Sequence, residues 1–119
     1  MNITHRQEQN ICIISLKGEM VWQEVQTLNA HVTKLLEQEG VGGFLVNLEK
    51  VTYLSSSALG VLMMIMDQCM KRQIPFGICS LNEELLELLK STHLNEAMTI
   101  FETEEAAIAT LSQQDENPQ

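Results

Sequence analysis

Three consecutive serines, Ser55, Ser56 and Ser57, are the residues of this chain whose type and position could do chemistry. They follow a short apolar run and precede a long segment with helical periodicity, so they stand where a strand gives way to a helix. Amides in the first turn of a helix have no intrahelical partner, and a serine can cap one of them. A phosphate on such a serine would accept from free amides at the positive end of the helix dipole. Both roles, cap and phosphorylation switch, stay open at this point.

The other reactive side chains lack the arrangements that catalysis or metal binding requires. His5, His31 and His93 have no helical partner at ligand spacing and no Cys or Asp beside them, so we interpret them as surface or half-buried residues. The serine triplet lacks the glycines of the Gly-x-Ser-x-Gly hydrolase turn, and the chain has no glycine-rich phosphate loop. We therefore predict no enzymatic activity, no metal and no cofactor.

Composition narrows the class of partner. The chain has 16 acidic side chains against 7 basic ones, for a net charge of -9. Binding to nucleic acid or to an anionic membrane surface needs clustered Lys and Arg, so we predict neither.

The polar N-terminus lacks the apolar stretch of a secretory signal, and residues 61–66, the longest apolar run, are too few to cross a bilayer. Cys12, Cys69 and Cys79 lie among apolar neighbours, as buried cysteines of a reducing compartment do. These features predict a cytoplasmic protein.

The elements that position the serine triplet are predicted from the strand and helix patterns, which alternate along the sequence. They predict an α/β fold, in which a mixed β-sheet with a parallel centre is covered by about four helices. Residues 1–112 form one domain in this prediction, and residues 113–119 form a flexible tail. Asn82 and Thr103 are predicted to cap helices. The strands are predicted at residues 3–6, 11–16, 44–48, 75–80 and 98–101, with helices after residues 24, 57, 82 and 103.

The helix after the triplet is apolar on more than one side. Its spacing predicts a core-facing stripe that includes three methionines, and an outer face that includes Met64. A methionine exposed beside a glycine can lie under a partner, because its side chain adapts to varied surfaces. The predicted core stripe is Leu59, Leu62, Met63, Met66 and Met70, broadened by Val61, Ile65 and Cys69, and the predicted outer face includes Gly60, Met64, Asp67, Gln68, Lys71 and Arg72.

The segment around the triplet resembles the core motif of the STAS family, the anti-anti-sigma factors. The residues that carry the resemblance are Val46-Asn47-Leu48-Glu49 and the run from Val51 to Leu62. Leu16-Lys17-Gly18-Glu19 is similar to the end of the family's strand before its first helix, and residues 85–101 are similar to its third helix and last strand. The resemblance implies a four-helix, mixed-sheet domain that switches partners. The resemblance further implies that the unmodified domain binds a serine kinase that doubles as an anti-sigma factor, that phosphorylation releases the domain, and that a phosphatase restores it.

The resemblance also implies individual site residues. It places the phosphorylated serine on Ser56, with Ser55 or Ser57 as the fallback. Ser55 stands where the family usually has Asp, Ala58 where it usually has Gly, and Val21 where it often has Asp. Two acidic groups associated with kinase recognition are therefore absent. The predicted partner-binding residues are Glu19, Met20, Val21, Ser55, Ser57, Gly60, Met64 and Lys71.

Two functional hypotheses follow from the resemblance. The first is a phosphorylation-controlled regulator of the anti-sigma factor antagonist type, whose output could be transcription or a non-sigma process such as biofilm or polysaccharide production. The alternative is a constitutive STAS scaffold subunit of a lipid-transport ATPase complex, which would not need the missing acidic groups. A nucleotide-binding or hydrolytic domain is a third reading, which would show a thermal shift with nucleotide.

Overall fold

A computed structural model describes residues 2–18, 22–38 and 40–116 of the chain. Five strands form one sheet in the order β1-β2-β3-β4-β5, in which β1 is antiparallel to β2 and the other pairings are parallel. This arrangement confirms the predicted mixed sheet with a parallel centre. The strands are β1 (Asn2–Glu8), β2 (Ile11–Lys17), β3 (Gly43–Lys50), β4 (Phe76–Cys79) and β5 (Thr99–Phe101). The helices are α1 (Trp22–Leu36), α2 (Ser56–Lys71), α3 (Glu83–Ser91), the short α4 (Leu94–Ala97) and α5 (Glu104–Glu116).

The helices cover the two faces of the sheet unequally. Successive residues of a strand point to opposite faces, so Ile13 and Ile14 of β2, like Leu45 and Val46 of β3, belong to different clusters. The larger cluster contains the buried residues of α1, α2 and α3, and the smaller one contains those of α5. Burial on both faces explains why β2 and β3 read as continuous apolar runs in the sequence.

Local signals set several of the element boundaries. The strand predicted at residues 3–6 forms the hairpin with β2, and Glu8 pairs with Ile11 across a short polar turn. Asn82 Oδ1 accepts a hydrogen bond from the Leu85 amide at 2.8 Å, and Thr103 Oγ1 accepts one from the Ala106 amide at 3.1 Å. Both predicted caps are therefore confirmed.

The C-terminal helix α5 continues to Glu116, so it includes the first residues of the predicted tail. The flexibility predicted for residues 113–119 stays a prediction, and residues 117–119 lie outside the described part of the chain. Within the described ranges, no helix is both long enough and apolar enough to cross a membrane.

Glu104, in the first turn of α5, connects three elements. Its carboxylate accepts hydrogen bonds from Arg6 of β1 and from Asn47 Nδ2 of β3, the latter at 2.8 Å. Desolvation by burial acts to raise the pKa of Glu104, but the hydrogen bonds from Arg6 and Asn47 outweigh it, so the pKa lies below its ordinary value. The charged form of this glutamate is therefore the one that holds α5 to the sheet.

Candidate functional site

The loop between β3 and α2 is anchored by two buried side chains. Val51 is 1% exposed and Leu54 is 2% exposed, and both belong to the larger core cluster. The Val51 amide donates to the Leu48 carbonyl at 3.1 Å, which turns the chain immediately after the strand. Tyr53 lies between the two anchors and is 57% exposed. The loop therefore delivers the serine triplet to a fixed position and presents an aromatic ring beside it.

The structure separates the roles of the serines. Ser55 has an extended backbone, and its Oγ accepts a hydrogen bond from the Ala58 amide at 3.1 Å, so Ser55 is the N-cap of α2. Ser56 is the first helical residue, and its side chain is exposed. The Ser57 side chain lies outside the described part of the structure. The cap expected of one serine is thus confirmed at Ser55, and Ser56 lies at the positive end of the helix with its hydroxyl in solvent.

The capping role of Ser55 also explains how a serine can stand where the STAS motif usually has an Asp. Asp and Ser are both strong N-cap residues, because each offers a side-chain oxygen to an amide of the first turn. Ser55 therefore does the capping that an Asp would do at this position, with one negative charge fewer beside Ser56. The exchange preserves the start of α2 and changes only its local charge.

The exposed side of α2 forms a continuous surface that begins at Ser56. Successive residues of a helix are about 100° apart, so the seven residues of this surface, which are named below, lie within an arc of about 120° around the helix axis. Three of them are exposed methionines, with Met63 45%, Met64 48% and Met70 67% exposed. A side chain at Gly60 would meet no atom within 4 Å, so the backbone is open to solvent there. We call this surface the α2 face and define it as Ser56, Gly60, Met63, Met64, Asp67, Met70 and Lys71.

The prediction that Met63 and Met70 face the core is wrong. The stripe that contacts the sheet is centred on Ile65, which the sequence placed at the margin of the core side and which is fully buried. Apolar residues occur on nearly every side of α2, so periodicity alone could not fix which side faces the sheet. Met63, Met64 and Met70 remain outside, and Met66 packs partly buried against the core as predicted. The fully inward side chains are smaller or branched: Ala58, Val61, Leu62, Ile65 and Cys69.

The α2 face has little net charge, although the chain as a whole is strongly acidic. Its two charged members pair with each other, since Lys71 Nζ lies 3.0 Å from Asp67 Oδ2. Both side chains are exposed, so this pair adds little to stability. Its consequence is electrostatic: the two charges cancel, so the α2 face itself carries no net charge that would repel an acidic partner.

Most of the predicted partner-binding residues for which side chains are described lie near this face. Met64 and Lys71 are exposed on it, and Gly60 lies within it. Glu19, Met20 and Val21 lie outside the described residues, so their part in the site stays a prediction. The Gly18 amide donates to the Lys50 carbonyl at 2.9 Å, which places Gly18, just after β2, beside the end of β3 from which the loop to α2 departs. Sequence reasoning missed Met63, Met70 and Tyr53.

The cysteines do not contribute reactive groups to this surface. Cys12, Cys69 and Cys79 are buried and free of disulfides, as the sequence predicted. Burial raises the pKa of Cys69 to about 12 and that of Cys79 to about 11, so neither forms a thiolate at neutral pH. Within the described residues, no group of three or more His, Cys, Asp or Glu side chains could hold a metal ion.

Comparison with solved structures supports the fold assignment. A putative anti-sigma factor antagonist from Thermotoga maritima has 19% identity and a TM-score of 0.85 over 92% of this chain and 94% of that one. The Bacillus cell fate determinant SpoIIAA in its phosphorylated form has 19% identity and a TM-score of 0.73, over 92% and 99%. A sulfate transporter family protein from Wolinella succinogenes has 16% identity and a TM-score of 0.78, over 89% and 88%.

These three proteins share the fold with this chain at low sequence identity. The sequence itself provides the family assignment, because the model of the STAS domain matches residues 2–107. That match covers all five strands, the serine triplet and the whole of α2. The chain belongs to the STAS domain family.

Proposed function

We propose that this chain is a protein-binding regulator that docks through the α2 face, and that phosphorylation of Ser56 controls the docking. The observation that carries the proposal is the position of Ser56. Its exposed side chain begins the same helix face that presents Met63, Met64 and Met70 to solvent.

The α2 face has the chemistry of a docking surface. Its methionines are flexible and polarisable, so they can adjust to the side chains of a partner helix or loop. Gly60 allows a partner to approach the helix backbone, because no side chain fills the space around it. Tyr53, in the loop that leads into α2, adds an exposed aromatic ring three residues before Ser56, and tyrosine is a frequent binding hot spot.

Phosphorylation of Ser56 would weaken this contact through charge and desolvation. The phosphate adds about -1.5 to -2 charges at neutral pH, and it can accept hydrogen bonds from the first-turn amides of α2. Covering that charge with an apolar partner surface costs free energy, and an acidic partner would also be repelled. Ser55 keeps the N-cap in either state, so the switch does not require a change in the fold.

Membership of the STAS family supports a regulatory protein as the partner. STAS proteins of the anti-sigma factor antagonist type are generally not enzymes, and SpoIIAA is a relative by fold whose structure was solved in a phosphorylated form. We propose a serine kinase of the anti-sigma type as the partner of the unmodified chain, and a phosphatase that restores binding. The output is transcription or a non-sigma process such as biofilm or polysaccharide production. Buried, free cysteines fit action in the reducing cytoplasm.

Charge variants of Ser56 test the switch. Wild type, Ser56→Ala and Ser56→Asp are first used as baits to capture binding proteins from the native cells. The captured partner is then purified, and its affinity for each of the three proteins is measured by titration. We expect Ser56→Ala to bind like wild type and Ser56→Asp to bind at least about tenfold more weakly, or about 1.4 kcal/mol. Asn95→Asp, which adds an exposed charge on α4, is the matched control and should bind normally.

Intact mass analysis of the protein from its native cells gives an independent result. We expect a species heavier by one phosphate, with the modification mapped to Ser56. Equal affinity of wild type and both Ser56 variants for the partner, together with a protein that is never phosphorylated, would remove the switch.

The second candidate function is a constitutive scaffold subunit in a transport assembly. It is favoured by the fold shared with a sulfate transporter family protein and by the absence of an acidic group at Ser55. In that case the captured partner is a transport ATPase, and Ser56→Asp leaves its binding unchanged.

A further inference from the structure

Two histidines that are far apart in the sequence meet on the surface of the protein. Nε2 of His31, on α1, lies 3.2 Å from Nδ1 of His5, on β1. The two rings are in edge-to-face contact, with centroids 5.1 Å apart and an angle of 62° between their planes. The hairpin register places His5 opposite Ile14, which packs in the same cluster as the buried residues of α1. The fold therefore brings the two rings together on one side of the sheet.

The separation of the two nitrogens suits a shared metal ion. Zinc–nitrogen bonds are about 2.0–2.1 Å long, so two ligands of a tetrahedral ion lie about 3.4 Å apart and two at a right angle about 2.9 Å apart. The observed 3.2 Å lies between these values. Without an ion, one imidazole donates its N–H proton to the facing nitrogen of the other. For both nitrogens to bind a cation, the donor ring must exchange to the tautomer that carries its proton on the other ring nitrogen. Each ring must also turn by about 40° so that its lone pair points at the ion.

The electrostatic environment favours the form of His31 that can bind a metal ion. Desolvation by burial lowers the pKa of His31, and the neighbouring His5 and Lys34 lower it further, which favours the neutral imidazole. The ammonium group of Lys34 opposes a bound cation, whereas the net charge of -9 on the whole chain attracts one. The pair is partly open to solvent, so water can complete the coordination.

We propose that His5 and His31 form a two-histidine site for a divalent transition-metal ion of the nickel, copper and zinc group, with water in the remaining positions. Imidazole suits these ions, and affinity should follow the usual order in which Cu²⁺ binds more tightly than Ni²⁺ or Zn²⁺. A bound ion would tie the edge strand β1 to α1, and it would stabilise the folded chain by mass action.

Metal binding is tested on the untagged protein with NiCl₂ and ZnCl₂ as the probes. We expect each metal to raise the Tm of wild type by several degrees, on the order of 5 °C at saturating metal, and EDTA to reverse the rise. His5→Asn and His31→Asn should each abolish the rise. His93→Asn is the control, because His93 is exposed and contacts Glu96 at 2.9 Å instead of another histidine.

Calorimetric titration at 25 °C measures metal affinity directly, independently of any change in Tm. Circular dichroism first confirms that all variants are folded at this temperature. We expect NiCl₂ to bind wild type with one ion per chain and to bind either single variant at least about tenfold more weakly. Binding should also be lost at a pH low enough to protonate both rings. A wild type that binds no metal, or variants that bind as tightly as wild type, would overturn the site.

Discussion

Within the first turn of α2, the side chains of Ser55 and Ser56 are held in different environments. Ser55 precedes the helix with an extended backbone, so its hydroxyl reaches the Ala58 amide. Ser56 already has helical geometry, and its side chain is in solvent at the edge of the α2 face. One residue therefore stabilises the helix start, while its neighbour is free to carry a phosphate. Because the two roles belong to different residues, modification need not disturb the cap.

The division of roles predicts different stabilities for two alanine variants. Ser55→Ala removes the cap of α2 and should lower the free energy of unfolding by about 1 kcal/mol. Ser56→Ala removes an exposed hydroxyl and should change it by less than about 0.5 kcal/mol. Urea denaturation followed by circular dichroism measures both. Equal losses for the two variants would show that the cap is shared, and the proposed phosphorylation site would then also be a stability determinant.

At the scale of the element, local signals were predictable and packing was not. The caps at Asn82 and Thr103 were predicted because an N-cap depends on a few adjacent residues. The hairpin of β1 and β2 was predicted for the same reason. The orientation of α2 was only partly predicted, because Met63 and Ile65 are both apolar and only the sheet selects between them.

Contacts between distant elements are a further limit of the sequence. His5 and His31 meet only because the hairpin and α1 lie on the same side of the sheet, and neither has a ligand-like neighbour in the chain. The residues of the candidate site likewise fall into those that the sequence predicted and those that only the structure revealed. Ser56 and Met64 were identified from the motif and the helical pattern, whereas Met63, Met70 and Tyr53 became visible only with the exposure of each side chain.

The orientation of α2 is tested by two truncations on opposite sides of the helix. Ile65→Ala leaves a cavity between α2 and the sheet and should lower the free energy of unfolding by about 2–5 kcal/mol. Met63→Ala truncates an exposed side chain and should lower it by less than about 1 kcal/mol. Chemical denaturation of both variants under the same conditions gives the comparison. A larger loss for Met63→Ala would place the methionine side against the sheet and remove the α2 face as a docking surface.

On the scale of the whole molecule, the sheet separates two apolar layers of different size. The larger layer includes Cys69, on the inner side of α2, and the smaller includes Cys79 of β4, in the cluster that α5 covers. Both thiols are fully buried. The smaller layer is closed by a single helix, so it should open more often than the larger one, which three helices cover. Each cysteine therefore reports on the opening of its own layer.

This difference predicts the order in which the two thiols react with N-ethylmaleimide. Native protein should react slowly at both, because the thiols are inaccessible and burial raises the pKa of Cys69 to about 12 and that of Cys79 to about 11. We expect Cys79 to be modified before Cys69, since undocking of α5 exposes it without opening the rest of the fold. Peptide mass spectrometry of samples quenched over time measures the two rates.

Leu111→Ala provides the matched test, because Leu111 packs from α5 into the layer that contains Cys79. It should accelerate the reaction of Cys79 more than that of Cys69, as the loss of buried apolar contacts weakens the docking of α5 specifically. Ile65→Ala should instead raise both rates together, because it weakens the layer whose opening unfolds the chain. If Leu111→Ala changes both rates by the same factor, the two layers open as one cooperative unit and α5 has no separate stability.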